Sequence, residues 1–227
     1  MTSTWNYRSL LFRRKRSSNW GKDRLGYQQR YVAFDIESGQ RVLDIGSGGY
    51  PFPYATLLTD RFVDEAPNRR EPLVTMNKPF VVSDIHELPF CDKVFDFVYC
   101  SHVLESVKDP LAACREIMRV GRRGYIETPT LGKDALFGWA RGVQTWHVVA
   151  IAHHLCFFEY SDRQLDGIRS SLWRDRILSK WHDPLQAIFY ENQDIFNVMF
   201  PWNREFSAFV FRLDGTINAL NAQVEPA

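Results

Sequence analysis

The feature that most limits what this chain can fold into is a short run, Arg41-Val42-Leu43-Asp44-Ile45, that ends at once in Gly46-Ser47-Gly48-Gly49. A brief apolar run bounded by turn residues is the mark of a strand buried on both faces. The glycines behind it reach conformations that a Cβ forbids and let a ligand approach the backbone closely. Asp44 interrupts the run two residues before the first glycine, where a carboxylate can meet a cationic amino group. Four similar runs follow, at residues 55–60, 80–84, 95–100 and 124–128. Between the last two, residues 110–120 read as an amphipathic helix, with Asp109 as its cap, Pro110 in its first turn and Gly121 as its stop. Strands alternating with helices or short connections predict an α/β fold, a doubly wound, mostly parallel sheet of about seven strands. Ligands of such sheets settle outside the carboxyl ends of the strands, where strand order reverses.

At 227 residues the chain has room for one domain with elaborations. The formal net charge of +1 gives no whole-protein field, so nucleic-acid binding is not expected. The charge is uneven, however. Residues 1–35 hold eight Lys or Arg against two acids, interleaved with Trp5, Tyr7, Phe12 and Trp20. Residues 1–24 therefore read as a basic leader that can rest on an anionic membrane surface or remain solvated. Cys91, Cys100, Cys114 and Cys156 lack metal-ligand spacing and read as reduced thiols, with no metal site. No apolar run approaches the roughly 20 residues that cross a bilayer. A cytoplasmic protein, with peripheral membrane contact through the leader, is the expectation. Residues 25–36 suggest a helix. Residues 131–213, dense in aromatics, form a divergent C-terminal third, with strands at 146–151, 155–158 and 203–213 and a helix from Ser161-Asp162 onward. Residues 214–227 read as a polar tail.

Each strand of the cofactor half, residues 30–130, delivers chemistry to the same edge. Asp60 ends the second strand, 16 residues after Asp44, where an acid can accept from ribose hydroxyls. Asp84-Ile85 ends the third, and Ser101-His102 follows the fourth. At these motifs, VLDIGSGG, SDIHELPF, FDFVYCSHVLE and GYIETP, the chain resembles the class I S-adenosylmethionine-dependent methyltransferases, most closely their type 11 group, over roughly residues 30–130. The resemblance implies a Rossmann-like fold with S-adenosylmethionine as cofactor. It implies that Asp44, Gly46 and Gly48 hold the methionine part, with Ser47 also cofactor-binding, that Asp60 holds the ribose, and that Asp84 and Ile85 meet the adenine. Ser101 and His102 would line the pocket. Tyr50 stands where the group commonly has a third glycine, and Ser106 where it often has His. Pro51-Phe52-Pro53 leaves little room for the usual first helix, which makes Asp64 an alternative to Asp60.

An oxygen or nitrogen acceptor on a small molecule or lipid-linked substrate gains from a general base, and histidine suits that task near neutral pH. His102 is the first choice as catalytic residue, set against a role in capping the strand end. His147, His153 and His154 read as ordinary strand and turn residues, and Glu127 as a structural carboxylate or an acceptor-side base. Two other functions fit a glycine turn after a strand. A nicotinamide-dependent oxidoreductase wants a glycine where Pro51 stands. A non-catalytic module would keep the fold and lose the cofactor.

Overall fold

The computed structural model describes residues 24–63, 75–137, 144–169 and 191–221. The basic leader before Arg24 and the alternative ribose acid Asp64 lie outside these residues. The main sheet has six strands. These are β1 (Val42–Ile45), β2 (Leu57–Asp60), β3 (Phe80–Val82), β4 (Phe97–Ser101), β5 (Arg123–Pro129) and, late in the chain, β8 (Asn197–Asn203). Their order is β3-β2-β1-β4-β5-β8. The first five are parallel, and β8 runs antiparallel to β5. Strand order reverses between β1 and β4, so the cleft expected for a ligand opens outside Ile45 and Ser101.

Alternation along these strands sorts the core into two faces. Cross-strand partners share a face, so Val42, Asp44, Phe97, Tyr99, Tyr125 and Glu127 line one side. Aromatics fill its lower half: Phe52 stacks on Tyr99 at 4.1 Å between centroids, and Phe34 meets Tyr125 edge to face at 5.3 Å. The opposite face carries Leu43, Ile45, Val98, Cys100 and Ile126 and packs on helix α2 (Pro110–Val120) through Ala113, Cys114 and Ile117. The ends of α2 follow local chemistry. The Asp109 carboxylate accepts from the amides of Leu111 and Ala112, Pro110 supplies a preset φ, and the Gly121 amide returns to the Ile117 carbonyl.

A second, four-stranded sheet closes the same core. It is built from β6 (Trp146–Ile151), β7 (His154–Glu159), β9 (Ser207–Phe211) and β10 (Ile217–Leu220), in the order β10-β9-β7-β6. Its inner side chains, Trp146, Val148, Leu155, Phe157, Ala208 and Val210, are buried with those beneath α2. Trp146 Nε1 donates to the Val107 carbonyl at 2.8 Å, which ties this sheet to the loop after β4. Short helices complete the described fold: α1 (Arg24–Gln28), α3 (Leu131–Phe137), α4 (Asp162–Arg169) and α5 (Gln193–Phe196).

Three expectations are corrected. The helix at 25–36 is a single short turn, α1. Beyond it Val32 and Phe34 are buried while Tyr31, Ala33 and Asp35 are exposed, a period-two pattern that only an extended chain produces. The strand expected at 203–213 is two strands, because Arg204 takes a left-handed φ of 66° and turns the chain between β8 and β9. The stretch read as a polar tail supplies β10, whose backbone pairs antiparallel with β9. Conversely, no helix lies between β1 and β2, in keeping with the Pro51-Phe52-Pro53 sequence. The Lys78 ammonium instead collects the carbonyls of Phe52, Pro53 and Ala55.

Candidate active site at the carboxyl edge

Asp44, the third residue of the fully buried strand β1, is 2% exposed. Its Oδ2 accepts from the Phe52 amide at 2.7 Å. Burial pushes its carboxyl up to about 7, against the opposing pull of the Phe52 amide and the charges of Arg24 and Lys78. The following loop turns on Gly46 and Gly48, with φ of 68° and 54°. A Cβ on Gly46 would lie 2.4 Å from Val103 Cγ2, so the loops after β1 and β4 touch there. The Gly46 and Ser47 amides both donate to the Thr59 carbonyl, and the Gly48 amide donates to Asp60 Oδ2. Asp60, 5% exposed, also accepts from the Phe62 amide through Oδ1. Its carboxylate thus fixes the glycine loop to the end of β2.

Asp84 lies just beyond β3, with Oδ2 3.1 Å from Arg61 Nη1 and Oδ1 2.5 Å from His86 Nδ1. Burial works to raise its carboxyl, but the His86 amide and ring and the Arg61 charge hold it below its ordinary value. His86 Nε2 accepts in turn from the Asp109 amide, which links this acid to the head of α2. Ile85 is buried in the main core beside Leu88 and Phe95.

The richest chemistry gathers at the ends of β4 and β5. Glu127 is fully buried, yet the Tyr27 hydroxyl donates to it at 2.6 Å, Gln28 Nε2 at 2.9 Å, the Tyr125 hydroxyl at 2.5 Å and the Ser101 hydroxyl at 3.5 Å. His102 Nε2 lies 3.2 Å from the same carboxylate. Burial opposes the charge, but hydrogen bonding and charge from His102, the Lys133 charge and the Tyr125 bond hold Glu127 well below the usual carboxylate range. His102 is the member of this group that reaches open space, with its side chain 26% exposed. Its φ of 58° is unusual outside glycine. Its amide donates to the Glu127 carbonyl at 2.8 Å, which fixes that turn. Its Nδ1 lies 3.7 Å from Glu105 Oε1, and the other oxygen of Glu105 is buried without a partner.

Behind this group sits Lys133 of α3, buried and donating to Asn197 Oδ1 at 2.5 Å, with His102 Nε2 at 3.4 Å. Burial lowers its ammonium to about 8, against the pull of Glu127 and Glu105. Asp134 accepts from the Tyr160 hydroxyl at 2.9 Å, and burial raises it to about 6. Lys133, Tyr27 and Gln28 are not legible as site residues in the sequence, since a lone Lys in the divergent third, or a Tyr-Gln pair just past the leader, carries no local signal of burial. His147 lies on β6 beside Phe158 and Tyr160, while His153 and His154 stand at the β6–β7 turn.

These residues suit S-adenosylmethionine best at its amino-acid end. A buried carboxylate, a glycine loop and the buried, unpartnered Ser47 hydroxyl adjoin one another there. The donors and acceptors named for the ribose and adenine, Asp60 and Asp84, already serve the loop and His86. Among the described residues no cluster of three or more His, Cys, Asp or Glu is placed to hold a metal, and no helix is long and apolar enough to cross a membrane.

Residues 43–126 match the family model described as a methyltransferase domain, of the type 11 group. The chain is similar to a demethylmenaquinone methyltransferase from Corynebacterium efficiens, 28% identical over 109 residues, or 47% of each chain. It is similar to another from Paenarthrobacter aurescens, 33% identical over 101 residues, 40% of this chain and 38% of the relative. The chain spans less than half the length of either relative. Among solved structures, an S-adenosylmethionine-dependent methyltransferase from Mesorhizobium loti is 14% identical, with 81% of this chain and 99% of that chain covered at a TM-score of 0.43. Residues 43–126, from β1 into β5, are thus the part of the chain that is similar to a methyltransferase domain.

Proposed function

We propose that the protein transfers the methyl group of S-adenosylmethionine to an oxygen or nitrogen of a small or lipid-linked acceptor, with His102 as general base. The observation that carries this reading is the Glu127–His102 pair. A buried, multiply hydrogen-bonded carboxylate stands against one ring nitrogen of the histidine that opens beside the glycine loop. The cofactor, when bound, supplies an electrophilic methyl on a sulfonium. The protein's own part is to orient the acceptor, exclude water and take a proton. Orientation alone can contribute up to roughly 7–11 kcal/mol in well-aligned models. With Nε2–H donating to Glu127, the lone pair of His102 is on Nδ1. A proton taken there from the acceptor is stabilised by Glu105, 3.7 Å away. Glu127 keeps the tautomer and the ring plane fixed, as a buried carboxylate does for a catalytic imidazole.

The names of the two curated relatives favour a second reading, a quinol-type ring as acceptor. Such a ring also needs a base, to remove its hydroxyl proton, so the same residues serve both readings.

One experiment tests the function. The protein is incubated with methyl-labelled S-adenosylmethionine and cell extract, and products that gain one labelled methyl are identified by mass spectrometry. The His102→Ala variant should lower the rate by about 10²- to 10⁴-fold while binding S-adenosylhomocysteine as wild type does. Wild-type turnover in that variant would remove His102 from the mechanism. Saturable binding of NAD in place of S-adenosylhomocysteine would discard the methyltransferase reading.

A further inference from the structure

The elements that close the candidate site have two sides. On the inner side, α1 sends Tyr27 and Gln28 to Glu127, α3 sends Lys133 to His102, and Asn197, just after α5, holds Lys133. On the outer side the same stretches present Tyr31, Leu131 and Ile195 to solvent, with Tyr54 beside them, all between 40% and 63% exposed. Hydrogen bonds join these positions into one rim. Gln29 Nε2 donates to the Tyr54 hydroxyl at 3.3 Å, and the Tyr31 hydroxyl donates to the Glu191 carbonyl at 3.0 Å. The Thr130 hydroxyl, next to Leu131, donates to the Ile195 carbonyl at 3.1 Å. Large apolar side chains gathered at the mouth of a cleft, unlike ones scattered singly, mark an interaction surface. Tyrosine suits the boundary between water and hydrocarbon, since its ring is apolar and its hydroxyl polar.

The charge comes from the stretch of chain that leads into this rim. Residues 1–23 hold six Lys or Arg against one acid, together with Trp5, Phe12 and Trp20. They run into Arg24, the first residue of α1, so this cationic stretch is tethered at the rim, three residues before Tyr27 enters the site. Glu191 and Asp194 on the rim itself are exposed acids, so attraction to an anionic surface has to reside in residues 1–23. Stable attachment to a bilayer without a spanning helix takes two signals, and a polybasic stretch beside apolar anchors is such a pair.

We propose that this rim docks on an anionic lipid bilayer, with residues 1–23 supplying the charge and Tyr31, Tyr54, Leu131 and Ile195 entering the headgroup layer. The cleft then opens onto the bilayer, and a lipid-linked acceptor reaches His102 without passing through water. That delivery rests on the reading of this edge as a methyltransferase site; the docking itself does not.

Co-sedimentation of the full chain with sucrose-loaded vesicles tests the docking. Vesicles of phosphatidylcholine alone are compared with a two-to-one mixture of phosphatidylcholine and phosphatidylglycerol. Wild type should bind the mixed vesicles at least about 10-fold more tightly than the neutral ones, and high salt should narrow the difference. Deletion of residues 1–23 should weaken binding to the mixed vesicles at least about 100-fold. Leu131→Ser combined with Ile195→Ser should weaken it about 10-fold, with the melting temperature unchanged. Equal wild-type binding to both kinds of vesicle, a comparison that needs no variant to fold, would overturn the proposal. So would a double variant that binds as wild type does, since residues 1–23 would then act without the rim, or capture of an RNA oligonucleotide in place of vesicles. Intact vesicle binding without any binding of S-adenosylhomocysteine would support the docking and remove the methyltransferase reading, so the two failures are told apart.

Discussion

Two buried carboxylates at one sheet edge respond to pH in opposite senses, and the difference is measurable. Asp44 titrates near 7 in the folded chain because burial disfavours its charge. Its raised value means that its contribution to stability is complete below the unfolded value of about 3.9 and is lost as pH rises through 7. Asp44→Asn should therefore flatten the fall in unfolding free energy between pH 4 and 7 seen by urea denaturation; an unchanged slope would contradict the burial argument. A bound ammonium favours the ionised form, so S-adenosylhomocysteine should displace a proton from Asp44 at pH 6.5. Calorimetry in buffers of different ionisation enthalpy reads that release directly, and Asp44→Ala should abolish binding with the fold intact. Glu127 behaves in the reverse way. Its donors lower its value, so its stabilisation is present above the unfolded value of about 4.3 and is lost as pH falls. Glu127→Gln turns one acceptor into a donor facing donors and should cost about 2–4 kcal/mol at pH 7 by the same denaturation measurement. A loss below 0.5 kcal/mol, taken as roughly the effect of an ordinary surface change, would mean that the network carries little of the fold.

At the scale of elements, the sheet follows from local patterns and its neighbours from packing. Helix α2 is a case where every local signal agrees: Asp109 at the cap, Pro110 at the first turn, a buried stripe through Ala113, Cys114 and Ile117, and Gly121 at the stop. Asp109→Ala should cost about 1 kcal/mol in urea, since two amides lose their acceptor. No change in the midpoint would show that solvent replaces the cap freely. Strand β8 is the counter-case. Pro201 lies inside it opposite Tyr125 and argues against a strand in any sequence reading. It is tolerated because β8 is the edge of the sheet and its outer side needs no ladder donor. Gly124 shows why β5 and β8 come so close. A Cβ there would lie 2.1 Å from the Val98 carbonyl oxygen and 2.9 Å from Trp202 Nε1, so only glycine fits between the neighbouring strands.

At the scale of the molecule, the two sheets share one core around α2, and the last described strand is part of that arrangement. β10 covers the open edge of β9, which would otherwise present unpaired amides and carbonyls. Removal of residues 214–227 should lower the melting temperature and increase light scattering on heating. An identical melt would make β10 dispensable. The cleft also depends on long-range assembly. His102 and Glu127 are 25 positions apart and meet because β4 and β5 are parallel neighbours with Ser101 opposite Glu127. Tyr27 and Gln28 reach the same place from the start of the described chain.

The sequence by itself determined the parallel sheet, the glycine loop, the carboxyl-edge positions of Asp44, Asp60 and Ser101, and the limits of α2. These are properties of short windows, where periodicity, caps and turn residues act on near neighbours. Only the tertiary structure decided that Asp60 secures the loop, that Asp84 is held by His86 and Arg61, and that Ile85 belongs to the core. It alone brought Tyr27, Gln28 and Lys133 to the cleft. The charge and hydrogen-bonding state of a buried group depends on every residue around it, and those residues come from strands and helices far apart along the chain.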